Sequence, residues 1–134
     1  HYPIQEVNHM SCYRRGDVVI VSAPESCGTD PNSAGTILKK RPWLVVSNDK
    51  ANACSSNVVV VPLTSKVKRL DLPTHILLPT CGVLRVPSTA LCEQLRTYTV
   101  DESGWKYVGT LPAGIMRQVD RALCNVFWVE NETH

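Results

Sequence analysis

Short β-branched runs broken by turn residues set the strongest limit on how this chain can fold. Asp17 to Ala23 reads Asp-Val-Val-Ile-Val-Ser-Ala and is opened by Gly16. Asn57 to Thr64 carries four consecutive valines, a pattern that predicts a strand buried on both faces. Trp43 to Ser47, Thr74 to Leu78, Thr89 to Thr99 and Lys106 to Thr110 are the other strand-like segments. Asn48 to Ser56 contains Asp49-Lys50-Ala51-Asn52 and predicts a short helical turn. Strands this short, punctuated by turns, predict a mainly β fold built as a small barrel.

The period changes toward the C-terminus. Ile115, Met116, Val119, Ala122, Leu123, Val126 and Phe127 recur at helical spacing, while Arg117, Gln118, Asp120 and Arg121 face away. This predicts an α-helix whose apolar stripe packs on the barrel, with a place in a dimer interface as the second reading. Pro112 suits the first helical position, which leaves Leu111 as an N-cap that cannot accept a backbone hydrogen bond.

At 134 residues the chain has the size of one domain. It can bury about two-thirds of its unfolded surface, so folding requires neither metal nor disulfides. Residues 11–130 are read as that single domain. His1 to Met10 is polar and aperiodic, and is expected to be a tag or disordered leader with Met10 as the natural start, or else a short native extension. Asn131 to His134 is a polar tail. Val58 to Leu63, among the longest apolar runs, is far shorter than the roughly 20 residues of a membrane span. The start lacks the basic-then-apolar order of a signal peptide, so a cytoplasmic protein with no membrane partner is expected.

The net charge of +2 is too small to mark a nucleic-acid binder by itself. Lys39-Lys40-Arg41, and Lys66 with Lys68 and Arg69, form local basic clusters that charge alone reads as solvated loops. Cys12, Cys27, Cys54, Cys81, Cys92 and Cys124 lack the paired spacing of a zinc site and read as reduced thiols, some of them core filler. A lone catalytic cysteine stays possible, with a partner brought from elsewhere in the fold. Pro24 to Lys40, rich in Gly, Pro, Ser, Asn and Thr, is long for a connection and is expected to be functional or mobile, folding over a bound strand.

Several segments carry a more specific signal. In order they are Arg15-Gly16-Asp17-Val18, Arg41-Pro42-Trp43-Leu44-Val45-Val46-Ser47-Asn48-Asp49, Val61-Pro62-Leu63-Thr64-Ser65 and Leu72-Pro73-Thr74-His75. Cys92-Glu93-Gln94-Leu95-Arg96-Thr97 follows, then Gly109-Thr110-Leu111 leading into Val119-Asp120-Arg121-Ala122-Leu123. With these motifs the chain resembles the MazF/PemK family of toxin endoribonucleases from type II toxin–antitoxin modules, from Arg15 to about Phe127. The resemblance implies an SH3-like β-barrel with a C-terminal α-helix, acting as a homodimer. It implies sequence-specific cleavage of single-stranded RNA without metal or other cofactor, and neutralisation by a cognate antitoxin with a disordered acidic tail. DNA would be met only indirectly, through the antitoxin. One departure is visible: the Gly-x-Glu-Gln element that often precedes Arg-Pro is missing from the longer loop here.

RNA carries its own nucleophile, the 2′-OH beside each phosphate, so an enzyme need only align it, move protons and neutralise charge developing on phosphorus. Arg41 suits the charge, because its planar fork can hold two phosphate oxygens. Thr64 adds a hydroxyl donor. Taken alone, each would read as an ordinary surface or strand-end residue; the family resemblance makes them the catalytic pair. The RNA contacts expected are Lys40, Ser65, Lys66, His75, Ser88, Gln94 and Arg96. Glu93 and His75 are the further titratable candidates for proton transfer. Strand alternation would put Gln94 and Arg96 on one face and Glu93 on the other. Trp43, Tyr98 and Trp105 are available for base stacking, with core packing the better reading for Trp43. Two other functions stay open: an inert SH3-like module that binds RNA or protein, and a gyrase-poisoning toxin of related fold.

Overall fold

A computed structural model describes residues 13–23, 39–66, 69–101 and 104–127. The leader, the tail, most of the Pro24–Lys40 loop, Lys68, Cys12 and Cys27 lie outside the described residues. Among the described residues there are seven strands, β1 (Asp17–Ala23), β2 (Lys39–Val45), β3 (Asn57–Thr64), β4 (His75–Leu78), β5 (Ser88–Leu91), β6 (Arg96–Thr99) and β7 (Trp105–Thr110), and two α-helices, α1 (Asp49–Ala53) and α2 (Ala113–Phe127). All pairings are antiparallel, in the order β4-β5-β3-β2-β1-β7, with β6 also paired to β3.

β3 is the spine of this arrangement. Along one edge its first half pairs with β6, ending at Val60↔Arg96, and its last residues pair with β5, beginning at Leu63↔Ala90. Pro62 falls in the gap between these two pairings. The expectation for the valine run holds. Val58 and Val60 enter one apolar cluster with Val19, Val21, Trp43 and Val45. Val61 enters the other, with Val18, Leu44, Leu63, Leu78, Met116, Val119 and Ala122. Each such side chain removed from water contributes about 1.5–3 kcal/mol.

The sheet curls into the expected small barrel without closing by hydrogen bonds. Its seam is made by side chains instead: a Cβ on Gly109 of β7 would sit 2.7 Å from Val83, in the segment between β4 and β5. The Arg-Gly-Asp motif is also structural. Gly16 adopts φ +97°, in the region that favours glycine. It donates its N–H to Val45 O (2.8 Å) and accepts at its carbonyl from Leu111 N–H (2.9 Å), tying β1 to β2 and to the entry of α2.

Three expectations need correction. The segment Thr89 to Thr99 is not one strand, because a 3₁₀ turn at Cys92–Gln94 divides β5 from β6. The long helix begins at Ala113, and the Pro112 carbonyl accepts from both Ile115 and Met116 N–H, so Leu111 is buried ahead of the helix rather than capping it. Phe127 is 62% exposed and outside the core, because the helix has run past the barrel at that point. α1 is as expected, with the Asn48 side chain accepting from Ala51 N–H at 2.7 Å.

Candidate active site

The register of β2 on β3 pairs Trp43 with Pro62 and Leu44 with Val61. Beyond Trp43 and Pro62 that pairing ends, and Arg41 of β2 and Thr64, the last residue of β3, line one cleft of about 910 Å³. Ser65, Lys66, His75, Ser88 and Gln94 line the same cleft. Segments distant in sequence therefore converge, because β3 delivers Thr64 to Lys66, β4 delivers His75, and the 3₁₀ turn delivers Gln94.

The cleft is electropositive. Arg41, Lys66, Arg85 and Lys106 line it, and its lining contains no Asp or Glu among the described residues. The ion pairs of Arg15 with Asp120, Arg69 with Asp71 and His75 with Glu93 do not engage Arg41. An exposed guanidinium without a carboxylate partner is suited to a phosphate. Thr64 Oγ1 accepts from Lys66 N–H at 3.2 Å, which leaves its hydroxyl proton to donate elsewhere.

Other expected contacts are more committed. Ser88 is buried and donates its hydroxyl to Val86 O at 3.2 Å, so its lone pairs are what it offers the cleft. His75 Nε2 lies 3.0 Å from Glu93 Oε2, and its Nδ1 is buried without a partner. Glu93 itself does not line the cleft. Burial alone would raise its carboxyl, but hydrogen bonds from His75, its own backbone N–H and Thr74, with the attraction of His75, outweigh burial and hold it below the usual range. Burial pushes the neighbouring Cys92 thiol up to about 12, with Glu93 adding to the effect, which makes this cysteine a core residue and a poor nucleophile.

Arg96 does not join the cleft lining; it pairs with Val60 on β3. The alternation argument that grouped it with Gln94 fails because the 3₁₀ turn, not a continuous strand, separates them. Arg69 pairs with Asp71 on the surface. The backbone of Lys40 continues β2 beside Arg41, opposite Ser22. Trp43 and Tyr98 meet edge to face at 5.2 Å, and Tyr98 and Trp105 at 6.5 Å, so these aromatics form a core rather than a stacking surface. Sequence reading missed Arg85, Lys106 and Tyr107. For Lys106 and Tyr107 the one signal was the Trp-Lys-Tyr-Val run at a strand; Arg85 lies between β4 and β5 and carried none.

Comparison with known proteins agrees with this architecture. The family described as PemK-like, MazF-like toxin of type II toxin-antitoxin system matches residues 14–127. Endoribonuclease MazF9 of Mycobacterium tuberculosis (strain ATCC 25618 / H37Rv) is 32% identical over 116 residues, covering 82% of this chain and 92% of that protein. An endoribonuclease from a mycobacterial species, solved in complex with its cognate antitoxin, superimposes with a TM-score of 0.67 at 21% identity, over 90% of this chain and 99% of the other. MazF from Deinococcus radiodurans gives a TM-score of 0.68 at 20% identity, over 87% and 97%. These two structures share the fold. With the family match over nearly its whole length, the chain belongs to the PemK-like, MazF-like toxins of type II toxin–antitoxin systems.

Proposed function

We propose that this toxin, an endoribonuclease neutralised by an antitoxin, cuts single-stranded RNA in the cleft that Arg41 and Thr64 share. The observation that supports the site assignment is that both line one cleft whose lining holds four cations and no carboxylate among the described residues. The 2′-oxygen forms a bond to phosphorus as the bond from phosphorus to the 5′-oxygen breaks. The 2′-OH proton leaves to a base, the 5′-oxygen gains a proton, and the ends are a 2′,3′-cyclic phosphate and a 5′-OH.

Arg41 holds two oxygens of the phosphate as charge builds, and the Thr64 hydroxyl donates to a non-bridging oxygen. Histidine is the residue type most used for proton transfer, and among the described residues His75 is the histidine that lines this cleft. Lys66, Arg85 and Lys106 guide the strand, while Gln94 and Ser65 offer hydrogen bonds to base edges. An acidic, disordered antitoxin tail fits the same cations and would fold as it covers them. A homodimer is part of this reading, and DNA is contacted only through the antitoxin.

The test is a long single-stranded RNA incubated with the protein in EDTA. Discrete cuts with cyclic-phosphate and 5′-OH ends are expected. Binding without cuts would favour an inert module, and poisoned gyrase with intact RNA would favour the third class.

A further inference from the structure

Two hollows meet at Tyr107. Next to the cleft lies a smaller hollow of about 450 Å³ lined by Tyr13, Arg14, Asp17, Tyr107 and Thr110. Among the described residues, Tyr107 is the one that lines both. It stands there because β7 carries a bulge. Val18 pairs with Gly109 and Val19 with Tyr107, which leaves Val108 without a partner on β1. A bulge breaks the in–out alternation of a strand and re-aims its side chains, and Lys106, Tyr107 and Val108 line the cleft in succession.

Tyr107 is 53% exposed, yet its phenol is fixed. Tyr107 Oη lies 2.7 Å from Thr110 Oγ1, and Thr110 donates to Asp17 Oδ1 at 2.7 Å. Asp17 Oδ2 accepts from Arg14 N–H at 2.8 Å. The Thr110 proton is therefore spent on the carboxylate, and Thr110 Oγ1 must accept from the tyrosine O–H. Tyr107 Oη has given its proton and retains lone pairs, so toward a ligand it is an acceptor. A rigid exposed ring is what base stacking needs, and its oxygen selects for an N–H donor.

We propose that the substrate strand crosses Tyr107. One nucleotide held in the cleft stacks on the ring, and the adjoining base enters the smaller hollow, where a base N–H donates to Tyr107 Oη. Exposed Arg14, at the edge of that hollow, faces the phosphate beyond. This rests on the ribonuclease reading and extends it to a specificity residue that the family motifs quoted above do not contain.

The experiment compares wild type, Tyr107→Ala and Tyr107→Phe in two assays. The first measures binding of a single-stranded 2′-O-methyl RNA library, which has no free 2′-OH to attack. The second maps 5′-OH ends on a long RNA and measures kcat and KM on one mapped site. Tyr107→Ala should weaken binding and raise KM about ten-fold, with kcat within about two-fold, and relax base preference at one position beside the cut. Tyr107→Phe should keep affinity within about two-fold and lose that same preference. Unchanged binding and an unchanged cut profile in Tyr107→Ala would overturn the proposal, as would loss of preference spread over every position. Wild-type binding without cleavage would overturn the ribonuclease reading alone, and the hollow would still be judged by the first assay.

Discussion

His75 and Glu93 are joined by a 3.0 Å hydrogen bond that fastens β4 to the 3₁₀ turn carrying Gln94 into the cleft. The Glu93 carboxyl is depressed in the folded chain. Its stabilising contribution is therefore fully present above the unfolded carboxyl value of about 4.3 and is lost as pH falls through the lower folded value. Below about pH 5 the melting-temperature difference between wild type and Glu93→Gln should shrink as the solution becomes more acid. A difference that keeps growing through that acid range would contradict the assignment.

Arg41→Ala and Thr64→Ala should each lower kcat by about 100- to 1000-fold, the usual cost of removing one donor from a developing oxyanion. Arg41 is exposed and Thr64, at the end of β3, is half-buried, so melting temperature should hardly move. Arg41→Lys should recover only part of the activity, since an ammonium restores charge but not the two-pronged fork. Full activity in either alanine variant would remove that residue from the site.

Lys106 and Arg85 were found only in the structure, and salt dependence measures their part. If each meets a phosphate, replacing either by Ala should reduce the slope of log affinity against log salt by about 0.7, the value for one single-strand contact. An unchanged slope in both would mean that the strand takes another route.

How much of this was legible in the sequence follows from the range of each interaction. β1 and β3 are set by their own valines, and β3 was predicted to the residue, Asn57–Thr64. The Arg41–Thr64 cleft was reached through the ordered motifs, because no local pattern tells a phosphate-binding arginine from a solvated one. The 3₁₀ turn at Cys92–Gln94 was hidden in a run that alternates well enough to pass for strand. The Tyr107 bulge was hidden for a different reason: it is a mismatch between two strands, and neither strand records it alone.

The seam of the barrel is a place where one methyl group matters. Gly109→Ala would set a Cβ 2.7 Å from Val83 Cγ2 and 3.1 Å from its Cγ1, and a branched side chain packed against the core has little room to yield. The substitution should destabilise by about 1–3 kcal/mol, read by denaturant unfolding. Gly109→Ala combined with Val83→Ala should recover part of that loss; no recovery would show that the strain lies in the backbone.

The central claim is that the RNA attacks its own phosphodiester while Arg41 and Thr64 hold it. The most direct measurement uses an RNA with one deoxyribose, placed immediately 5′ of a mapped cut. Cleavage at that position should stop while binding is retained; continued cleavage there at the all-ribose rate would contradict the account.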